Sequence, residues 1–467
     1  MIKTDRVSLE AQLNQLSFLN LENDPYIAII QEIDPVDPID VYAHYNHKKG
    51  ERFYWSNANG DTTFVGVGVC DELAVHATPQ RFEAMQAEID KRRQRIHVLG
   101  DEVDGTGPIY FGGFSFFNQP HKEEWQSFQE NYFVLPKQLL TVKDGRYFVT
   151  CHMKLDEEST VANIKTFVEQ QLREIDAVQP FRKQQSHRDA IRDPLTYVEW
   201  EQLIESAVAQ IQSSPLDKVV LAREVEAIFD ERIALEDVLH VLTDNQQHSY
   251  VFVMEQGEDA FIGASPERLV SVEQNIIYSA CLAGTTSRGE TLDEDDLKAW
   301  QLLHDEKNLE EHRYVVKMIE QAVQPLCDNL DVPDDPVIYP LTTIQHLYTP
   351  VKGELTKGVS LFDVLSVLHP TPALGGEPRQ EAMAFIESNE PIERGWYAAP
   401  IGWFDRHLNG EFAVAIRSSL VSGQTARLFA GCGIVADSDA EAEYDETNLK
   451  LTPMLDALGG QQDGHDG

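Results

Sequence analysis

The sequence predicts an α+β fold built on a large, mostly antiparallel sheet system. Strand-like runs rich in β-branched and aromatic residues follow one another in blocks, and helical blocks interrupt those runs instead of alternating with each strand. Hydrophobic residues make up 42% of the 467 positions and aromatics 9%, enough for a packed core.

In chain order, FYWSN (53–57), TTFVGVGVC (62–70), IYFGGFSFF (109–117), YFVLP (132–136) and RYFVTCHM (146–153) read as strands, interrupted by the helical segment RFEAMQAEIDKRRQRI (81–96). Gly112 and Gly113 inside a strand-like run predict a bulge or a close backbone approach. From 152 to 193 the chain is polar and charge-rich, and HRDAIRDP (187–194) ends in a proline that turns the preceding residue away from helix. A boundary is placed there, between an N-terminal scaffold half (1–190) and a second region (191–458). The first half shows no catalytic constellation.

Downstream, Thr196 and Glu199 form a capping box ahead of Trp200, Leu203, Ile204, Ala207, Val208 and Ile211 at helical spacing, so a helix runs to about Gln212. KVVLAREVEAIF (218–229), SYVFVME (249–255), AFIGASPERLVSVE (260–273) and NIIYSACLAGT (275–285) read as successive strands. A long helical region runs from about Asp293 through HDEKNLEEHRYVVKMIEQAVQPL, and YAAPIGWFD, EFAVAIRSSLV and ARLFAGCGIV return to strand. The end, GGQQDGHDG from Gly459, cannot bury anything and reads as a mobile tail.

With 38 basic against 78 acidic side chains the formal charge is −40, which argues against nucleic acid as the main partner. The apolar content separates this acidity from that of a disordered chain. No apolar run approaches the roughly 20 residues of a membrane span, and MIKTDRVSLEAQ lacks the apolar core of a secretory signal, so no membrane partner and a cytoplasmic location are expected. Cys70, Cys151, Cys281, Cys327 and Cys432 are scattered singly and read as reduced, mostly buried thiols. No GxxxxGK[ST], GxGxxG, GxSxG or HExxH motif with the required context occurs.

Several residues invite chemistry. Lys218 stands just before an apolar strand, where its amine either snorkels to water or is partly desolvated into a usable base. Glu267, in GASPERL, follows an apolar strand and small residues; it is either an acid of raised pKa or a strand-end carboxylate paired with Arg268. Glu311 beside His312 lies in an acidic helical run, and Glu441, Glu443, Asp445 and Glu446 form another; such runs are often solvated faces. Glu443, Glu446 and Lys450 share one helical face. Convergence of Glu311 with that face would offer hard oxygens suited to Mg²⁺.

Taken together, KVVLAR at Lys218, GASPERL at Gly263, LAGTTSRG at Leu282, KNLEEH at Lys307, LHPTPALGGEPR at Leu368, RGWYAAPIGW at Arg394, EFAVAIRS at Glu411 and AGCGIVADSDAEAEYDET at Ala430 resemble the chorismate-utilising enzymes. These comprise isochorismate, salicylate, anthranilate and aminodeoxychorismate synthases. The motifs cover about 190–455 in order. The resemblance implies an αββα-type sandwich of two mainly antiparallel sheets, a single Mg²⁺, and chorismate as substrate. It also implies Glu311 and Glu446 as metal ligands, Glu443 as an outer carboxylate, and Arg417 and Lys450 as binders of substrate carboxylate. Backbone around Gly284, Thr285, Gly431 and Gly433 would help, with His346 and Tyr397 as further site residues.

Three positions select a branch. Members that use water carry a lysine where Lys218 stands; the position before the GT pair, a nucleophilic lysine in aminodeoxychorismate synthases, is Ala283; and pyruvate-eliminating members tend to have threonine where this chain has Ala373, followed by Leu374. The combination resembles the isochorismate synthases, with salicylate synthase and anthranilate synthase component I as alternatives. The long N-terminal half and the KN pair of KNLEEH resemble the menaquinone branch, a siderophore branch being the other option. Asn308 departs from the acidic residue common in relatives. In that chemistry Lys218 takes a proton from water attacking C2 of chorismate while Glu267 protonates the departing C4 hydroxyl. A monomer is expected.

Overall fold

A computed structural model describes residues 25–156, 159–183, 188–289, 291–340 and 344–459. The leading MIKTDRVSLEAQ segment and the tail beyond Gly459 lie outside them. Two compact units emerge: the first takes the described residues of Met1–Glu267, Pro370–Arg406 and Ala415–Gly467, the second Arg268–His369 and His407–Val414.

In the first unit the strands pair in the order Ile96–Leu99, Tyr26–Ile33, Arg146–Lys154, Asn131–Lys143, Thr62–Ala74, Arg52–Ser56, Tyr250–Gln256, Asp259–Ser265, Ser418–Ser422, Thr425–Ile434 and Lys218–Phe229. Only the first of these pairings is parallel. The free edge of Lys218–Phe229 takes Arg188–Arg192 at one end and Gly376–Glu377 at the other. Asn131–Lys143 has a third partner at its start, Ile109–Phe114, which in turn pairs with Pro400–Asp405. One long strand therefore serves two layers.

Side-chain alternation gives the sheet two different faces. Tyr54, Val251, Val253, Ile262, Leu428, Val225 and Ala227 point to an aliphatic core beneath the helices Val161–Asp176, Leu235–Asn245 and Ala440–Leu458. Their neighbours Phe53, Trp55, Phe252, Phe261 and Phe429 point the other way, into aromatic packing such as Phe53 on Phe111 at 4.7 Å and Trp125 on Phe261 at 5.3 Å. A smaller cluster seats helices Tyr197–Ser213 and Arg379–Asn389 on Val219, Leu221, Cys432 and Ile434. The close approach expected at Gly112 and Gly113 is present: a Cβ on Gly112 would lie 1.9 Å from the Tyr132 carbonyl oxygen.

The polar stretch 152–193 holds a helix that its composition did not announce. It contains Val161–Asp176, capped by Thr160 and anchored by Ile164, Val168, Leu172 and Ile175, whose apolar stripe is narrow enough to be masked by the charged residues between. Other boundaries also move. The helix at 81–96 ends at Arg92. The stretch 260–273 breaks at Pro266 and Glu267. The long helical region splits into Leu292–Leu302 and Glu306–Val323, the second capped by Asp305. EFAVAIRSSLV breaks before Ser418, where Arg417 has φ 51°.

The second unit pairs Gly410–Val414, Arg268–Glu273, Ile276–Ser287 and Ile344–Leu355 in that order, all antiparallel, and Ile344–Leu355 also takes Cys327–Asp331 and Val337–Pro340. Helix Glu306–Val323 packs on Ile276–Ser287. The cysteines are free thiols, with Cys151, Cys281 and Cys432 buried. Among the described residues no helix is long and apolar enough to cross a membrane.

Candidate active site

Lys218 opens its strand, and its side chain lies across Gly433 on the neighbouring strand: a Cβ at Gly433 would stand 2.7 Å from Lys218 Cε and 3.2 Å from Nζ. Only glycine leaves that path open. Glu267 follows the strand Asp259–Ser265, where the ladder is interrupted by Pro266, and its backbone N–H donates to Ser265 Oγ at 3.2 Å. Its carboxyl is half-buried, and loss of hydration pushes its pKa up to about 7 against the opposing pull of the Lys450 and Lys218 ammoniums. Both cations thus act on the same carboxyl. Arg268, the partner that a surface role for Glu267 would require, instead faces Glu411 at 4.0 Å.

Lys450 sits on the helix Ala440–Leu458, one turn after Glu446. Its Nζ donates to Glu446 Oε1 at 2.6 Å and to the Gly431 carbonyl at 2.8 Å. Glu443, one turn earlier, accepts from Ser438 Oγ at 2.8 Å. Arg417 Nη1 donates to the Lys450 carbonyl at 3.4 Å; burial lowers its pKa, opposed by Tyr397 and Glu446. Tyr397 is buried, with its phenol pushed up by desolvation, and its ring stacks on Phe429 at 5.2 Å. A Cβ at Gly431 would meet Tyr397 Oη at 3.2 Å. Within this unit, then, Lys218, Glu267, Tyr397, Arg417, Gly431, Gly433, Glu446 and Lys450 come together.

Ala373 is exposed and Leu374 buried on a turn in which the N–H groups of Leu374 and Gly375 both donate to the Thr371 carbonyl. That turn is tied to the Lys218 strand by Arg394, which opens the motif RGWYAAPIGW, and by Glu390, which lies outside the motifs. Arg394 Nη1 donates to the Leu374 carbonyl at 2.9 Å and Nη2 to the Val220 carbonyl at 2.8 Å. Glu390, 2.6 Å from Arg394 Nε, also accepts from the Ala222 N–H. Arg223, buried in the same strand, was equally missed; a charged residue at an apolar position of an alternating strand was the available signal.

In the second unit Gly284 adopts φ 78° at a bulge in Ile276–Ser287, where a Cβ would lie 3.1 Å from Asn308 Oδ1. Asn308 is therefore the residue packed under the GT pair. Thr285 Oγ1 lies 2.8 Å from His346 Nδ1 across the ladder, and desolvation lowers the His346 pKa. Glu311 is exposed while its neighbour His312 is 1% exposed. Burial lowers the His312 pKa; because the Ala283 carbonyl 3.0 Å away can only accept, Nδ1 carries the proton and Nε2 accepts from Thr349 Oγ1 at 2.8 Å. The ring fastens the Glu311 helix to two strands. Among the described residues no three His, Cys, Asp or Glu side chains form a metal cage. Exposed carboxylate oxygens with access to water still suit Mg²⁺, which takes few protein ligands and completes its shell from water and substrate.

A family model described as chorismate binding enzyme matches residues 11–459. Isochorismate synthase MenF of Bacillus subtilis is 42% identical over 454 residues, covering 94% of this chain and 93% of that protein. The salicylate biosynthesis isochorismate synthase of Pseudomonas aeruginosa is 34% identical, covering 94% and 91%. The solved structure of the menaquinone-specific isochorismate synthase MenF of Escherichia coli superposes with a TM-score of 0.79 at 26% identity, covering 97% of this chain and all of that one.

Proposed function

The chain belongs to the chorismate-binding enzyme family, and from that premise we propose that it is an isochorismate synthase, an isomerase that adds water at C2 of chorismate and expels the C4 hydroxyl. The observation that carries the reading is Glu267, a half-buried carboxyl whose pKa desolvation pushes up to about 7, with the amines of Lys450 and Lys218 close enough to act on it. A carboxyl so placed retains its proton near neutrality and can deliver it to the leaving hydroxyl. Lys218, extended across Gly433, takes the proton of the attacking water as a neutral amine. One water enters and one leaves, so no redox partner is required.

Arg417 and Lys450 hold substrate carboxylate, with the backbone at Gly431 and Gly433 and the side chain of Tyr397 beside them; Gly284, Thr285 and His346 are assigned to substrate on the family resemblance alone. Ala373 and Leu374, in place of threonine, favour release of isochorismate over pyruvate elimination. Glu311 and Glu446 are the carboxylates assigned to Mg²⁺, with Glu443 behind them. The chemistry the ion supplies when bound is neutralisation of the substrate's ring carboxylate. Residues 191–458 supply these groups and 1–190 the scaffold. A cytoplasmic monomer of the menaquinone type completes the proposal; the description of the E. coli enzyme as menaquinone-specific supports the pathway.

Incubation with chorismate and Mg²⁺ followed by chromatography tests the reading. Isochorismate is expected; salicylate with pyruvate, or full turnover by Lys218→Ala, would overturn it.

A further inference from the structure

Arg223 has no place in the chemistry above, yet it is 0% exposed on the helix-facing side of the Lys218 strand, where its neighbours are Val225 and Ala227. Every nitrogen of its guanidinium is used. Nε donates to Thr447 Oγ1 at 2.8 Å, Nη1 to Asp193 Oδ2 at 2.7 Å and Nη2 to Asn448 Oδ1. Its Cζ lies 4.1 Å over the Tyr444 ring, and Tyr444 Oη donates to the same Asp193 oxygen at 2.8 Å. The arginine thus grips three positions of one helix, 444, 447 and 448, interleaved with Glu446 and Lys450.

Apolar packing alone lets a helix slide or rotate by small amounts at little cost, whereas fixed directional bonds to a planar fork do not. Lys450 reaches the Gly431 carbonyl and the neighbourhood of Glu267 only at one rotation of that helix. We propose that Arg223, with Asp193 and Tyr444, is a positioning residue that fixes the rotation of the Ala440–Leu458 helix and so places Lys450 over the Lys218 and Glu267 site. The inference rests on the reading that Lys450 binds substrate carboxylate.

A double-mutant cycle with Arg223→Met and Lys450→Met tests it, with kcat and KM for chorismate measured at saturating Mg²⁺ and thermal unfolding followed in parallel. Binding of a carboxylate by Lys450 predicts that each single variant raises KM by about tenfold while kcat stays within about threefold, and that the double variant is no worse than Lys450→Met. A general structural role would instead lower active protein with KM unchanged. Thr447→Val, which removes one acceptor, enters the same cycle if Arg223→Met does not yield folded protein. An unchanged KM in folded Arg223 or Thr447 variants, or additive effects in the double variant, would overturn the positioning role while leaving Lys450 as binder. An unchanged KM in Lys450→Met would overturn both the binder and the inference built on it.

Discussion

Replacing Gly433 by alanine puts a Cβ 2.7 Å from Lys218 Cε and 3.2 Å from Nζ. Carbon atoms settle at about 3.5–4.0 Å, so the end of the lysine must move by about 1 Å. The backbone at Gly433 is not in the left-handed region, and the atom that must yield is the far end of a flexible side chain, so the fold is little affected. A displacement of about 1 Å at a reacting group costs about a hundredfold in rate, or roughly 2.7 kcal/mol of barrier. Initial rates with chorismate and Mg²⁺ should therefore show kcat down about a hundredfold with KM within about threefold, and an unfolding midpoint within a few degrees of the parent. A kcat within about threefold of the parent would refute the reasoning, since Lys218 would then tolerate being moved. A collapse of the unfolding midpoint would refute it differently, by showing that the glycine serves packing and not the lysine's path.

Other outcomes follow from the same geometry. Because the Glu267 pKa is raised from 4.5 to about 7, the proton-donating form is lost as pH rises through 7; the pH–rate profile should fall on that side, and Glu267→Gln should abolish turnover. The same shift means the folded state holds a proton that the unfolded state has released, so the stability associated with the protonated carboxyl is present below about pH 4.5 and declines toward pH 7. Denaturant titrations across that window should show the slope flattened in Glu267→Gln. Glu390→Ala leaves the Arg394 guanidinium, 1% exposed, without its carboxylate, and should destabilise the protein by about 3–5 kcal/mol in urea unfolding. Chelation of divalent metal should stop turnover while circular dichroism and the unfolding midpoint stay unchanged; loss of secondary structure on chelation would show that metal holds the fold together.

Much of this architecture was legible because period and punctuation agreed: the capping box at Thr196 and Glu199 opens a helix where the spacing placed it, and the Val-Val-Leu run after Lys218 is a strand. The Val161–Asp176 helix was not, because its four buried residues are diluted by polar ones and only tertiary burial distinguishes it from a solvated segment. The break at Glu267 was marked by Pro266, which cannot donate to a ladder, whereas the break at Arg417, a left-handed residue inside a strand pattern, had no local signal. Among site residues, Lys218 and Glu267 stood out as charges beside apolar strands, and Lys450 by sharing one helical face with Glu443 and Glu446. Arg223 did not, because its partners lie far along the chain; Glu390 and Arg394 are four residues apart, a spacing the sequence does offer, but their burial and their bonds to the backbone at Val220, Ala222 and Leu374 are not visible in it.

The pairing of Lys218–Phe229 with Thr425–Ile434 bears on how the chain is made. These strands lie roughly 200 residues apart, so at about 5–20 residues per second the Lys218 strand leaves the ribosome on the order of ten to forty seconds before its neighbour exists. During that interval one side of an apolar strand is an open template for the wrong partner. In the full chain that edge stays open until Thr425–Ile434 arrives to close it, and a chain shortened by its final strand and helix would keep it uncovered permanently, so its solubility in the cell would depend on chaperones.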